Sequence, residues 1–258
     1  MSPRAMSDSA AVAILLHAAL AAATVVAYVL ARPPRPARLA GYRGLIAVLG
    51  GWAYWVTRPM HDAAARLGLT PNAVTAYGLV LNVLAGLAAS QGAWGWAGVL
   101  LVWGSIGDLL DGELARSTGQ QSPAGAFLDS NLDRVSEIAL FAGFAVAFPD
   151  RAGVGWAVAA LSGSVMVSYA RARGEGLGVA CPTFGLERPH RVVLLMAALL
   201  AAAFLEPVRA VALVEGACAL IAVGAGATAL GRMVVIHQLL RRGDAGAAAP
   251  GTPPEGAA

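Results

Sequence analysis

Four aspartates, Asp108, Asp111, Asp129 and Asp133, stand as two pairs on either side of a short polar stretch. Asp108 and Asp111 are three residues apart, Asp129 and Asp133 four, so on helices each pair shares one face. A hairpin between the helices would bring the two acidic faces together. An ionised Asp at the centre of a membrane helix costs roughly 2.5–3.5 kcal/mol on insertion scales, and four in one place also repel. Such a cluster needs counter-cations. Arg116 and Arg134 lie within the motif, but their planar forks do not replace a small dication, which takes oxygen ligands. Two such ions about 3.5–4 Å apart, bridged by carboxylates, are the usual device for an in-line phosphoryl displacement. Gly112 and Gly125 lack a Cβ, which leaves the backbone open to a bulky ligand. One Asp alone would be read as a helix cap facing water. Here four of the chain's eight Asp residues fall at one set of spacings.

The elements that must position these groups are helices in a bilayer. The chain has 258 residues, 58% hydrophobic and only 13% charged, against about 25% charged in soluble domains. This excludes a disordered chain and an ordinary soluble enzyme, and a net charge of +3 is too small to argue for nucleic acid. From Leu67 to Gly107 there is no charged residue; then eight arrive between Asp108 and Glu137. Ala10 to Ala31 is an apolar run long enough to span, expected as an uncleaved first helix with a signal peptide as the alternative, and a Pro/Arg-rich break follows at Arg32 to Arg38. The stretch from Gly41 mixes Trp52, Trp55 and Met60 with Arg58, His61, Asp62 and Arg66, as a helix lying in the headgroup plane does. Thr70-Pro71-Asn72 then opens a helix, with Pro71 near its first turn.

Six spans follow: Ala73 to Ser90, Ala93 to Asp111, Ala126 to Phe148, Val154 to Arg171, Arg191 to Leu205 and Ala210 to His237. The expected fold is thus an all-α integral membrane protein: a six-helix transmembrane core preceded by an interfacial amphipathic helix and one extra N-terminal apolar helix. The organisation is 1–40 for the first helix and linker, 41–70 for the interfacial helix, 71–240 for the core and 241–258 for an Ala/Gly/Pro-rich disordered tail. The glycines inside spans let helices approach closely. Cys181 and Cys218 are too few for a disulfide framework. Placing the acidic hairpin in the cytoplasm puts ten Arg inside against Arg151 and Arg209 outside, as the positive-inside rule requires.

Asp108-x2-Asp111-Gly112-x2-Ala115-Arg116-x8-Gly125-x3-Asp129-x3-Asp133 resembles the signature of the CDP-alcohol phosphotransferases, with every fixed position and gap present. Thr70-Pro71-Asn72-x2-Thr75 is similar to the start of that family's first core helix. The resemblance covers about residues 58–237. It implies an interfacial helix and six spans in a homodimer in the cell membrane, with the active site facing the cytoplasm. It implies that Asp108, Asp111, Asp129 and Asp133 ligate two ions, Mg²⁺ or Mn²⁺, and that Asp133 is also the base that deprotonates the acceptor hydroxyl. Gly112, Ala115, Arg116 and Gly125 would line the cytidine and pyrophosphate site, joined by Asn72 and Thr75.

The acceptor must be read from the remaining polar positions. Arg134, Arg171, Arg173, Arg188 and Arg191 project from helix ends toward one cytoplasmic cavity, and Arg recognises phosphate with a bidentate fork. These residues resemble the acceptor site of phosphatidylinositol phosphate synthases, and the related archaeal-lipid enzyme is similar. The resemblance therefore implies CDP-diacylglycerol and inositol 1-phosphate as substrates. Glycerol 3-phosphate, free inositol or another polyol phosphate remain alternative acceptors. A cation transporter also explains intramembrane carboxylates, but not Gly112, Ala115, Arg116 and Gly125 at their spacing.

Overall fold

The computed structural model describes residues 3–34, 44–181 and 183–247. Among these there are eight helices and no strand: α1 (Pro3–Ala31), α2 (Gly44–Arg66), α3 (Pro71–Ser90), α4 (Trp94–Ser117), α5 (Pro123–Ala147), α6 (Arg151–Gly176), α7 (Arg188–Ala202) and α8 (Pro207–Ala247). The expected spans coincide with α3 to α8, each shifted by a few residues. Much of the expected linker and tail lies outside the described residues. Gly243 to Ala247, however, continue α8 rather than joining a disordered tail. No proline interrupts the chain between Pro207 and Pro250, so nothing stops the helix earlier.

Among the described residues, four helices are long and apolar enough to cross a membrane by length and composition: Asp8–Ala31, Pro71–Ser90, Arg151–Gly176 and Pro207–Arg242. The other core helices fall short for local reasons. α4 and α5 carry the acidic motif on their facing ends. α7 has 15 residues, about 22 Å of helix against a hydrocarbon core of about 30 Å.

The core is two groups. α3 packs on α4 and α5, α6 packs on α8, and α7 joins α4 to α8 while α5 meets α6. α1 and α2 pack on α4 from outside. Three indole N–H groups tether the outer helices: Trp96 donates to Ser9 Oγ, Trp103 to His17 Nε2 and Trp52 to Thr24 Oγ1, at 3.1–3.3 Å.

Close backbone approach sets the positions of α3, α4 and α5. α3 crosses α5 at Gly86 and Gly143; a Cβ on Gly143 would sit 2.1 Å from the Gly86 carbonyl oxygen. α3 crosses α4 at Gly78 and Gly107, where a Cβ on Gly107 would meet the Gly78 Cα at 3.2 Å. That second crossing is one residue from Asp108, so it fixes the height of the acid motif against α3. Gly143→Ala forces the α3–α5 pair apart at a backbone atom that cannot yield. It lowers stability by about 1–3 kcal/mol, the usual cost of overpacking, read as a drop in apparent Tm in detergent.

Candidate active site

α3 and α5 begin side by side at one end of the bundle, each with the same signal. Thr70 Oγ1 accepts the amide hydrogen of Ala73 and Ser122 Oγ that of Gly125, at 3.2 and 3.0 Å, and Pro71 and Pro123 occupy the first turns. A hydroxyl cap followed by proline is a strong helix start. Both helices thus point their positive N-terminal ends into the same cavity.

That cavity has a volume of about 480 Å³. Asn72 and Thr75 line it from α3, Asp111, Gly112 and Ala115 from α4, and Gly125 and Asp129 from α5. Three helices therefore deliver to one place residues spread over 58 positions, from Asn72 to Asp129, while Asp108 and Asp133 lie outside this lining. Gln120, Gln121 and Ser122 of the α4–α5 turn close the wall. Sequence reasoning passed over these three, although Ser122-Pro123 repeats the Thr70-Pro71 signal. Arg116 is not among the lining residues. Its guanidinium lies beside Gly112 and pairs with Glu113 at 3.0 Å, and its side chain is nearly half exposed.

The carboxylates are individually held. Asp111 is only 6% exposed and accepts a 2.7 Å hydrogen bond from Thr75 Oγ1. Asp108 lies over Gly78, where a Cβ would come within 3.1 Å of its Oδ1. Asp108 Oδ2 and Asp133 Oδ1 share one cation: Arg188 Nη2, at 2.8 and 2.7 Å. Asp108 and Asp129 lie within electrostatic reach of each other and of both Asp111 and Asp133. The counter-charge thus comes from Arg188 on α7, with Arg134 of α5 in reach of Asp129 and Asp133, and not from Arg116.

The remaining arginines are not equivalent. Arg191 is 1% exposed, and its guanidinium is taken up by Glu137 at 2.6 Å and by the Leu186 carbonyl at 3.0 Å. This corrects its expected place among the phosphate ligands: it faces the interior, one helical turn below Arg188. Arg134 turns back to the Ser130 carbonyl beside the acid cluster. Arg171 pairs with Glu175 on the surface and lies in reach of Glu187, while Arg173 is exposed in the last turn of α6. One arginine was missed altogether. Arg232 of α8 is 1% exposed, donates to the Val167 carbonyl at 3.0 Å and pairs with Glu187. Its signal was a lone Arg inside an apolar span, which is costly unless it has a partner.

The donor set suits a hard divalent ion: carboxylate oxygens only, on two adjacent helices, with Asp111 and Asp129 opening on the cavity. As the side chains stand, no three of His, Cys, Asp or Glu among the described residues close on one point. Thr75 holds Asp111 and Arg188 holds Asp108 and Asp133. The residues thus fit the ion in chemistry, while their present contacts keep them from closing into a ligand cage.

Residues 68–235 match the CDP-alcohol phosphatidyltransferase family profile, well over half of the chain and all of α3 to α7. The chain belongs to the CDP-alcohol phosphatidyltransferase family. Among its relatives, the archaetidylinositol phosphate synthase of Pyrococcus horikoshii is 39% identical over 137 residues, 52% of this chain and 71% of that one. The phosphatidylinositol phosphate synthase of Streptomyces avermitilis is 34% identical over 206 residues, 75% of this chain and 83% of that one. The fold agrees with the crystal structure of Mycobacterium tuberculosis phosphatidylinositol phosphate synthase with CDP-DAG bound, with a TM-score of 0.64 and 27% identity over 79% of this chain and 99% of that one. The same Mycobacterium enzyme in complex with manganese and citrate matches equally well, over 78% of this chain and 93% of that one. This family member is therefore a membrane-embedded phosphatidyltransferase, and the acid motif lies inside its matched region.

Proposed function

We propose that the chain transfers the phosphatidyl group of CDP-diacylglycerol to the hydroxyl of inositol 1-phosphate, giving phosphatidylinositol phosphate and CMP. The carrying observation is the single cavity in which Asn72, Thr75, Gly112, Ala115 and Gly125 surround Asp111 and Asp129. The names and bound groups of the relatives support the same substrates.

In this reading Asp108, Asp111, Asp129 and Asp133 hold two divalent ions, Mg²⁺ or Mn²⁺, and a manganese complex of a relative supports the ion class. When bound, such ions spread the charge that builds on the phosphate oxygens as CMP departs. The protein's own groups do the rest. The N-terminal ends of α3 and α5 and the side chain of Asn72 receive the pyrophosphate end of the donor. Gly112 and Gly125 let it approach the backbone. Thr75 keeps Asp111 turned toward the cavity. Asp133 takes the proton of the acceptor hydroxyl as its oxygen bonds to the phosphatidyl phosphorus and the bond to CMP breaks. Arg188 binds the acceptor's phosphate, with Arg134, Arg171 and Arg173 as the further cations that the resemblance assigns to it. Ten arginines on the motif side support a cytoplasmic mouth. A homodimer is the assembly that the family resemblance implies.

The test is an acceptor panel. The purified protein receives CDP-diacylglycerol, Mn²⁺ and, separately, inositol 1-phosphate, inositol and glycerol 3-phosphate, and the lipid product is identified by mass. The expected product is phosphatidylinositol phosphate from inositol 1-phosphate alone. Product from glycerol 3-phosphate or inositol instead would reassign the acceptor.

A further inference from the structure

We infer that Arg188 is an exchangeable cation: a divalent ion takes Asp108 and Asp133 from it, and the freed guanidinium then holds the acceptor's phosphate. Ion and acceptor consequently bind with positive coupling. This rests on the reading of the carboxylates as an ion site given above, and adds to it an order of events and a sign.

Three observations carry it. First, both short contacts of Arg188 run through one nitrogen, Nη2, while Nε is buried without a hydrogen-bond partner. A guanidinium used on one corner has not found its preferred two-point geometry, which a tetrahedral anion offers. Second, the backbone around Arg188 is fixed on both sides. Glu187 is paired with buried Arg232, and Arg191 with buried Glu137. The neighbouring Leu186 amide donates to Thr228 Oγ1 at 2.9 Å. With the start of α7 anchored to α5 and α8, the partly exposed side chain of Arg188 is the part free to move. Third, Asp108 and Asp133 are drawn to that guanidinium, while Asp111 is bonded to Thr75. An ion that gathers the quartet must therefore draw Asp108 and Asp133 off Arg188.

Competition for the same two carboxylates makes the guanidinium and the ion mutually exclusive partners there. An anion that captures the guanidinium removes the competitor and tightens the ion. By linkage the ion tightens the anion by the same factor. The opposite arrangement is an Arg188 that stays on Asp108 and Asp133 and orients them for the ion. It predicts the opposite sign when Arg188 is neutralised.

The experiment measures Mn²⁺ affinity of the detergent-purified full chain from the EPR signal of free Mn²⁺, with and without sulfate as a tetrahedral dianion. In the wild-type protein sulfate should tighten Mn²⁺ binding on the order of tenfold, within the usual range of coupling. Arg188→Gln without sulfate should bind Mn²⁺ on the order of tenfold tighter than wild type, and sulfate should then change nothing. A variant that binds Mn²⁺ equally or more weakly overturns the exchange, as does a sulfate effect that survives the substitution. The wild-type comparison needs no variant, so absence of coupling there overturns it even if Arg188→Gln does not fold. Mn²⁺ that binds uncoupled sinks only the exchange. If folded wild-type protein binds no Mn²⁺ at all, both the exchange and the ion-site reading fall.

Discussion

Asp133→Asn should reduce CMP release by roughly 10²–10⁴-fold, the range expected for loss of a general base. CDP-diacylglycerol affinity should stay within a few-fold of wild type. Asp133 sits on α5 one turn beyond Asp129, outside the cavity wall formed by Asn72, Thr75, Gly112 and Gly125, so the donor keeps its contacts. The amide is nearly isosteric but can neither accept the acceptor's proton nor carry charge. Parallel rate and lipid-binding measurements on one preparation decide it. A variant that turns over at the wild-type rate removes Asp133 from the proton transfer. One that loses donor binding along with rate assigns it to the donor site.

Arg191→Met has the largest expected effect on stability. Its guanidinium and the Glu137 carboxylate are both buried and 2.6 Å apart. Removing one partner strands the other charge in low dielectric, which costs about 3–5 kcal/mol. The single variant should unfold at a much lower apparent Tm in detergent. The double variant Glu137→Leu with Arg191→Met replaces the pair by apolar groups and should recover most of the loss, because such replacements are often neutral. An unchanged Tm in the single variant would mean that the pair does not hold α7 to α5. A double variant as unstable as the single would point to the Leu186 carbonyl, the other acceptor of Arg191, as the contact that matters.

These two residues also mark how far the sequence could be read. Asp133 was legible because its chemistry lies in spacing along one hairpin, and helical periodicity carries that directly into space. The core helices were legible from their long apolar runs, one of them free of charge from Leu67 to Gly107. The role of Arg191 was not. Arg188 and Arg191 are one turn apart on α7, and at the level of sequence both look like cations beside an acidic site. Which of them meets Asp133 and which meets Glu137 depends on how α7 is turned as it packs on α4 and α8, a packing outcome with no local signal. Gln120 and Gln121 reach the cavity only because two caps, Thr70 and Ser122, start α3 and α5 side by side. Arg232 was hidden in another way. Its partner Glu187 is 45 residues earlier in the chain, and only the fold of the loop before α7 brings them together.

On the proposed reading the aspartate quartet is an ion-dependent phosphotransfer centre. The most direct measurement follows CMP released from CDP-diacylglycerol and inositol 1-phosphate by one protein preparation, first stripped with a chelator and then resupplied with Mn²⁺. Release should be absent after stripping, return on addition of Mn²⁺, and match the lipid product mole for mole. CMP release that continues undiminished in the stripped protein would contradict the account, and so would folded protein that stays silent with both substrates and the ion restored.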